Sequence, residues 1–177
     1  MTELVRETKE TTIKVELDLD GGQTQVETTV PFLDHMLVTL ARYAGVGLRL
    51  TAKGDLRHHL IEDSAIVFGE AMLKAAPASR VRYGHAVVPM DDALVECALD
   101  LGGRPYYRGP IPSSLYDHWM RSFADHARAT LHLRVIRGRD RHHAVEAGFK
   151  ALGMALRQAV RPAATVQSTK GPVRLGE

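Results

Sequence analysis

The sequence predicts an α+β fold, a two-layer α/β sandwich built from a βββαβα unit that occurs twice. The first observation behind this prediction is an internal repeat, in which the stretch beginning at Asp34 aligns with the stretch beginning at Asp117. Each copy runs Asp-His, then an alternating segment, then Arg-His-His-x-x-Glu. The interval from the first histidine to the His pair is 23 residues in one copy and 24 in the other. A single-residue insertion or deletion therefore separates the copies.

Apolar residues at alternate positions provide the second observation. Segments 13–19 and 95–101 place an apolar side chain at every second position, which is typical of strands with one buried face. Leu48 and Leu50 alternate in the same way, and so does segment 131–135. Four shorter candidate strands complete the two halves, at 4–8, 23–30, 82–88 and 104–109.

Helical spacing provides the third observation. Apolar residues recur three and four apart over 33–44, which predicts an amphipathic helix. The segments that follow the His pairs, 58–76 and 142–160, contain no proline and are rich in good helix formers, which favours long helices. We therefore expect two repeat halves, 1–80 and 81–161, joined in one integrated domain and followed by a C-terminal tail at 162–177.

Composition narrows the class of protein. The 177 residues are 45% hydrophobic and 25% charged, and the formal net charge of +2 is too small to favour a nucleic-acid partner. The single cysteine, Cys97, cannot form an internal disulfide. The sequence shows neither a charged-then-apolar leader nor a long apolar run, so we expect a cytoplasmic protein without a membrane partner.

The duplicated His-His-x-x-Glu motif predicts two metal sites. On a helix, residues four apart lie about 40° apart around the axis, so the first histidine and the glutamate of each motif can bind one ion. The second histidine lies about 100° away and must reach a different site. The simplest arrangement is an exchange between the motifs, with a histidine from each Asp-His element completing one site. Such ligands suit Mn, Fe, Zn or Ni. The candidate ligands are His35, His58, His59, Glu62, His118, His142, His143 and Glu146.

A single copy of this motif has an alternative interpretation, in which its polar residues form a solvent-exposed helix start. Two copies in register, each preceded by Asp-His at nearly the same distance, favour metal binding instead. The histidines outside the repeat, His85, His126 and His132, are interpreted as surface or strand residues.

The order of five motifs resembles the imidazoleglycerol-phosphate dehydratase family of histidine biosynthesis. The motifs are FLDHM, RHHLIED, GGRPY, RHHAVEA and STKG, and the resemblance spans nearly the whole chain. It implies a duplicated fold related to the second domain of ribosomal protein S5 and two Mn²⁺ ions per active site. It also implies a 24-subunit shell with active sites between subunits, and dehydration of imidazole glycerol phosphate to imidazole acetol phosphate.

The same resemblance implies a role for each matching residue. One metal would be held by His35, His59, His142 and Glu146, and the other by His58, Glu62, His118 and His143. Glu10, in RETKET, would be the acid/base and would also contact the substrate. Four further residues would bind the substrate and its phosphate: Arg82, Arg104, Ser168 and Lys170.

The chain departs from the family pattern in three places. Arg57 precedes the first His pair, Leu60 replaces a threonine, and SSLY stands where a longer segment is usual. Two other functions would use the same ligands. Another dinuclear metallohydrolase would usually draw on aspartates or a bridging carboxylate, whereas the repeat offers one glutamate per site. A non-catalytic metal-binding protein would need no phosphate pocket.

Overall fold

The computed structural model describes residues 1–165 and confirms the duplicated βββαβα unit. The elements of the first half are β1 (Thr2–Glu7), β2 (Thr11–Asp18), β3 (Thr24–Glu27), α1 (Pro31–Ala44), β4 (Gly47–Gly54) and α2 (Arg57–Ala75). Those of the second half are β5 (Tyr83–Met90), β6 (Ala93–Asp100), β7 (Tyr106–Arg108), α3 (Ser114–His126), β8 (Thr130–Arg137) and α4 (Arg141–Ala159).

Each half forms a mixed sheet with the same strand order. The first sheet runs β1-β2-β4-β3 and the second runs β5-β6-β8-β7. In both sheets the third strand of the half pairs parallel with the fourth, whereas the remaining pairs are antiparallel. The repeat detected in the sequence is therefore a repeat of topology.

The alternating apolar residues lie on one face of each sheet. Ile13, Val15 and Leu17 of β2 are fully buried, whereas Lys14 between them is exposed. Helix α2 packs on the buried face of the first sheet, and α4 packs on β5 and β6 of the second. Burial of these aliphatic rows stabilises each sheet against its helices, at about 25 cal/mol for each Å² of apolar surface removed from water.

The expected strand at 23–30 is shorter than the sequence predicts. The backbone N–H of Thr28 and its hydroxyl donate to Asp34 Oδ1 at 2.8 and 2.5 Å, and this contact turns the chain into α1. The strand consequently ends at Glu27. The strand expected at 104–109 is likewise reduced to β7, and Arg82 lies before β5 with a positive φ of 73°.

The helices of the two halves pack against each other in crossed pairs, α1 with α4 and α2 with α3. Each pair approaches closely at a glycine. A Cβ atom on Gly153 would lie 2.7 Å from the backbone oxygen of Leu40, and one on Gly69 would lie 3.0 Å from the backbone oxygen of Phe123. Both glycines follow the first histidine of their motif by 11 residues. The repeat therefore includes the close contact between helices as well as the ligands.

Aromatic packing joins three of the helices. Trp119 of α3 is fully buried, its ring centroid lies 4.8 Å from that of Phe149 on α4, and its indole N–H donates to Ser64 Oγ on α2 at 3.2 Å. Among the described residues, no helix combines the length and apolar character needed to cross a membrane.

The close approach at Gly153 gives a prediction about stability. We expect Gly153→Ala to lower the free energy of unfolding by about 1–3 kcal/mol, because the new methyl group would press against the backbone of α1. Thermal unfolding of the metal-free protein measures the effect.

Gly148 in the same helix is the matched control. A Cβ there would meet only Ile111 Cγ2, at 3.8 Å. Gly148→Ala should therefore leave stability unchanged or raise it by up to about 1 kcal/mol through better helix propensity. Equal loss of stability in the two variants would contradict the account of the close contact.

Candidate metal centre

Helices α1 and α4 bring together the first triad of candidate ligands. His35 projects from α1, and His142 and Glu146 project from the first turns of α4. His35 Nε2 and His142 Nε2 each lie 3.1 Å from Glu146 Oε2. We call this group the α1/α4 triad. Its members come from both halves of the chain, because α1 belongs to the first half and α4 to the second.

Helices α2 and α3 build the corresponding second triad. His58 and Glu62 lie on α2 and His118 lies on α3. The Nε2 atoms of His58 and His118 lie 3.4 and 3.3 Å from Glu62 Oε2, and the two imidazole rings stack with centroids 5.1 Å apart. This group is the α2/α3 triad. It repeats the first triad, with the contributions of the two halves reversed.

The second histidine of each pair lies outside both triads. His59 Nδ1 is 2.8 Å from Asp55 Oδ1, and His143 Nδ1 is 2.8 Å from Asp92 Oδ1. Helix geometry accounts for this, since each of these histidines is one residue, or about 100°, beyond the triad histidine. Within one chain the structure thus brings together three of the four ligands predicted for each ion.

The aspartate of each Asp-His element holds the chain before its helix. Asp34 accepts hydrogen bonds from Thr28, as described above. Asp117 Oδ1 accepts one from the hydroxyl of Tyr107 at 2.5 Å and one from the backbone N–H of Ile111 at 3.0 Å. These contacts fix the helix starts that carry His35 and His118.

The electrostatics of the α1/α4 triad favour an ionised glutamate. Burial alone would raise the pKa of Glu146, whose side chain is only 8% exposed. Hydrogen bonds from Lys150 and His35 outweigh burial, and the pKa lies below its usual value. Lys150 Nζ is 3.0 Å from Glu146 Oε1, while Oε2 faces the two histidines. The triad therefore presents an anionic oxygen beside two imidazole nitrogens.

Both triads fit a divalent transition metal. In each, one ligand atom from every member lies within 4.8 Å of the others. His118 Nε2 is buried and, although Glu62 Oε2 lies 3.3 Å away, it forms no well-aligned hydrogen bond within the described residues. Burying such an atom without a partner costs about 1–3 kcal/mol, a cost that coordination to a cation would remove. Two nitrogens and one carboxylate oxygen suit Mn, Fe, Zn or Ni better than Mg or Ca.

Glu10 lies beside His59, on the turn between β1 and β2. Its carboxylate is 59% exposed, and Oε2 is 3.8 Å from His59 Nδ1. The backbone of the turn is held on both sides. The N–H of Glu10 donates to Thr8 Oγ1 at 3.1 Å, and its carbonyl accepts from the N–H of Asp55 at 3.1 Å.

Asp63 of α2 contacts both strands that flank this turn, and it was not among the residues predicted from the sequence. Its carboxylate is nearly buried and accepts hydrogen bonds from Arg6 and from the hydroxyl of Thr11. Asp63 follows Glu62 in α2, so one helical turn carries both a triad ligand and the anchor of the Glu10 turn. The only signal in the sequence was that an aspartate ends the motif RHHLIED. Its partners could not be inferred from the local sequence, because they lie 52 and 57 residues away.

The predicted substrate arginines lie on the segments that precede β5 and β7, and neither belongs to a triad. The Nε and Nη2 atoms of Arg82 bond Asp100 at 2.5 and 2.8 Å, and Nη2 lies close to Gly103, the neighbour of Arg104. The Arg104 side chain is exposed. The predicted residues Ser168 and Lys170 lie outside the described residues.

The histidines outside the repeat lie in strands or at a helix end. His85 and His132 are exposed on β5 and β8, and His126 ends α3 with Nδ1 3.0 Å from Glu70. Of the departures from the family pattern, Leu60 is buried at 4% exposure in the core. That departure lies in the core and leaves the triad residues themselves unchanged.

Comparison with known proteins places this geometry in a family. The model of the family described as imidazoleglycerol-phosphate dehydratase matches residues 28–156, which include all eight candidate ligands. The chain belongs to the imidazoleglycerol-phosphate dehydratase family.

Relatives and solved structures agree with this assignment to the family. The chain is 50% identical to the imidazoleglycerol-phosphate dehydratase of Pyrobaculum calidifontis, over 96% of this chain and 98% of that protein. It is 47% identical to that of Kineococcus radiotolerans, over 94% and 95%. The Pyrococcus furiosus enzyme, crystallised in complex with (S)-C348, superposes with a TM-score of 0.89 at 42% identity and covers 96% of this chain and 100% of its own.

A more distant structure shares the fold as well. The Staphylococcus aureus dehydratase has a TM-score of 0.79 at 29% identity, over 92% of this chain and 100% of its own. The predicted fold class and enzyme class are thereby confirmed. The chain is a hydro-lyase, and its family acts in histidine biosynthesis.

The two triads predict a metal content that glutamate substitutions should change. We expect Glu62→Gln and Glu146→Gln each to reduce the bound Mn²⁺ by about one ion per chain, because each removes the only anionic ligand of one triad. Elemental analysis of the purified protein after dialysis against Mn²⁺ measures the content.

Glu70→Gln is the matched control, since Glu70 also contacts a histidine but stands outside both triads. Its metal content should equal that of the unsubstituted protein. Full metal content in both Glu62→Gln and Glu146→Gln would refute the assignment of the triads.

Proposed function

We propose that this chain binds two divalent metal ions per active site, Mn²⁺ in the first instance, and converts imidazole glycerol phosphate to imidazole acetol phosphate. One observation carries the metal assignment. Two triads each offer three ligands, and two further histidines lie outside them with their rings only 25% and 27% exposed. The proposed ligand sets are the α1/α4 triad with His59 and the α2/α3 triad with His143.

The proposed sets require more than one copy of the chain. His59 and His143 contact aspartates of their own chain and take no part in its triads, so neighbouring copies would supply the missing ligands. This supports sites between subunits, and we propose the 24-subunit shell for the assembly. Glu10 is 3.8 Å from His59, so the site that receives His59 from a neighbour also receives Glu10.

The reaction removes a hydroxyl group from one substrate carbon and a proton from the adjacent carbon. Bound metal ions would supply Lewis acidity towards the imidazole nitrogens of the substrate. Glu10 is the proposed base for the carbon-bound proton. Its exposed carboxylate stands on a turn held by hydrogen bonds on both sides, which suits it to reach a substrate while keeping a fixed orientation. The enol that results becomes the ketone product.

The phosphate end of the substrate is proposed to meet Arg82, Arg104, Ser168 and Lys170. Asp100 binds two nitrogens of Arg82 and so fixes the plane of its guanidinium group. A guanidinium whose plane is already fixed would lose less side-chain entropy on meeting phosphate oxygens. Binding energy from the phosphate would then orient the reacting carbons.

Membership of the dehydratase family supports this function over the two rivals. A hydrolase or a metal store would leave the family match unexplained, whereas a dehydratase accounts for the match and for the triads together. We place the enzyme in the cytoplasm, where a biosynthetic enzyme of this kind would meet its substrate.

The proposed role of Glu10 gives a direct test. We expect Glu10→Gln to retain its metals and to lower kcat by about 100-fold or more, because the amide cannot accept the proton. Turnover of imidazole glycerol phosphate by the Mn²⁺-loaded protein, with metal content measured on the same samples, provides both readouts.

Lys9→Gln is a suitable control, since it changes a neighbouring charge on the same turn. It should keep most of the activity. If the unsubstituted, metal-loaded protein does not dehydrate imidazole glycerol phosphate, the proposed function is wrong.

A further inference from the structure

Both histidines that lie outside the triads share one contact. The Nδ1 atom of His59 lies 2.8 Å from Asp55 Oδ1, and the Nδ1 atom of His143 lies 2.8 Å from Asp92 Oδ1. A carboxylate at this distance accepts a hydrogen bond from Nδ1–H and holds the imidazole in one tautomer and one orientation. The lone pair on Nε2 is then the one that remains for a metal ion.

The two aspartates do not occupy equivalent positions in the repeat. Asp55 precedes His59 by four residues, on the connection between β4 and α2. In the other half the position that aligns with Asp55 holds Arg139. Asp92 instead lies on the turn between β5 and β6, 51 residues before His143. Duplication alone therefore does not explain why the Nδ1 atom of each histidine contacts an aspartate.

Both carboxylates are themselves fixed by the backbone. Asp92 Oδ2 accepts from the N–H groups of Arg139 and Asp140 at 2.6 and 3.2 Å, which leaves Oδ1 directed at the ring. Asp55 Oδ1 accepts from the N–H of Leu56 at 2.7 Å as well as facing His59. Each aspartate thus links a backbone segment to a histidine ring.

We propose that Asp55 and Asp92 are positioning residues that orient His59 and His143 so that Nε2 reaches a metal ion outside the triads of their own chain. This inference rests on the proposed function, in which these two histidines are metal ligands. Carboxylates in such positions typically strengthen metal binding 10- to 100-fold.

Because Asp55 and Asp92 lie on different connections, the β1–β2 and β5–β6 turns have different roles. The β1–β2 turn with Glu10 corresponds in topology to the β5–β6 turn with Asp92. On the β5–β6 turn, Asp92 bonds the ring of His143. On the β1–β2 turn, Glu10 Oε2 lies 3.8 Å from His59 Nδ1, because Asp55 makes the hydrogen bond to that nitrogen instead. Asp55 therefore leaves the carboxylate of Glu10 available for proton transfer.

A series of variants at the β5–β6 turn tests the proposal. Asp92→Ala removes the acceptor, Asp92→Asn keeps an acceptor oxygen without the charge, and Asp91→Ala removes the neighbouring carboxylate. Asp91 Oδ2 lies 3.2 Å from Nε2 of His143, on the other side of the ring. The full-length protein is loaded with Mn²⁺ and exposed to rising EDTA concentrations, and the retained metal is measured by elemental analysis.

We expect Asp92→Ala to release one Mn²⁺ per chain at 10- to 100-fold lower EDTA, Asp92→Asn to lie between Asp92→Ala and the unsubstituted protein, and Asp91→Ala to change retention less than threefold. Asp55→Ala and Asp55→Asn should show the same order for the other ion. The melting temperature of the metal-free protein should be unchanged in Asp91→Ala and should fall by no more than a few degrees in the Asp92 and Asp55 variants, because Asp92 and Asp55 are exposed but also accept backbone N–H groups.

Two results would overturn the proposal. Unchanged retention in Asp92→Ala and Asp55→Ala would show that the aspartates do not orient ligands. Equal losses in Asp92→Asn, Asp92→Ala and Asp91→Ala would show that local negative charge matters and orientation does not. Failure of the proposed function gives a different result. If the variants retain Mn²⁺ in the expected order but the unsubstituted protein shows no turnover, the proposed dehydration reaction is wrong and the positioning role stands. If the unsubstituted protein binds no Mn²⁺, both the proposed reaction and the positioning role are wrong.

Discussion

The close packing of helices from opposite halves is the constraint on which the candidate site depends. Neither half holds a triad by itself, because each triad takes one histidine from one half and a histidine and glutamate from the other. The ligand atoms meet where α1 packs against α4 and α2 packs against α3, and each helix pair approaches closely at a glycine, Gly153 or Gly69. A duplicated glycine and a duplicated ligand motif on one helix face therefore form a single unit, in which the helix contact sets the position of the ligands.

The fold and the triads were largely predictable from the sequence, since both depend on short-range periodicity. The spacing of His142 and Glu146 puts them on one helix face by helix geometry alone, and the alternation in 13–19 and 95–101 predicts the central strands. The strand expected at 23–30 is shorter in the structure because Asp34 accepts hydrogen bonds from Thr28, a side-chain contact across six residues that strand propensity does not report.

The residues that escaped sequence reasoning act through long-range contacts. Asp63 reaches Arg6 and Thr11, and Asp92 reaches His143 across 51 residues. No local pattern marks either aspartate, because the partner of each is set by how the hairpin turns meet the helix starts. Asp55 is closer to its partner, but it has no equivalent in the second half, so a search for repeated residues passes over it.

The two copies of the unit have thus diverged around a shared frame. The triads keep the same arrangement, whereas the hairpin turns beside His59 and His143 carry different carboxylates with different partners. In the proposed assembly, this divergence would leave one exposed carboxylate, Glu10, that does not bond a histidine ring. A symmetric frame can in this way support a reaction that needs a single base at one carbon.

The central claim is that ligands of one copy complete the triads of another, and subunit complementation measures it most directly. His59→Ala and Glu146→Ala chains, each with its own affinity tag, are produced together, and assemblies that contain both tags are assayed for dehydration of imidazole glycerol phosphate. The account predicts that each variant alone is inactive and that mixed assemblies regain activity, because an intact α1/α4 triad of one chain can receive His59 from the other. Mixed assemblies that remain as inactive as the separate variants would contradict it.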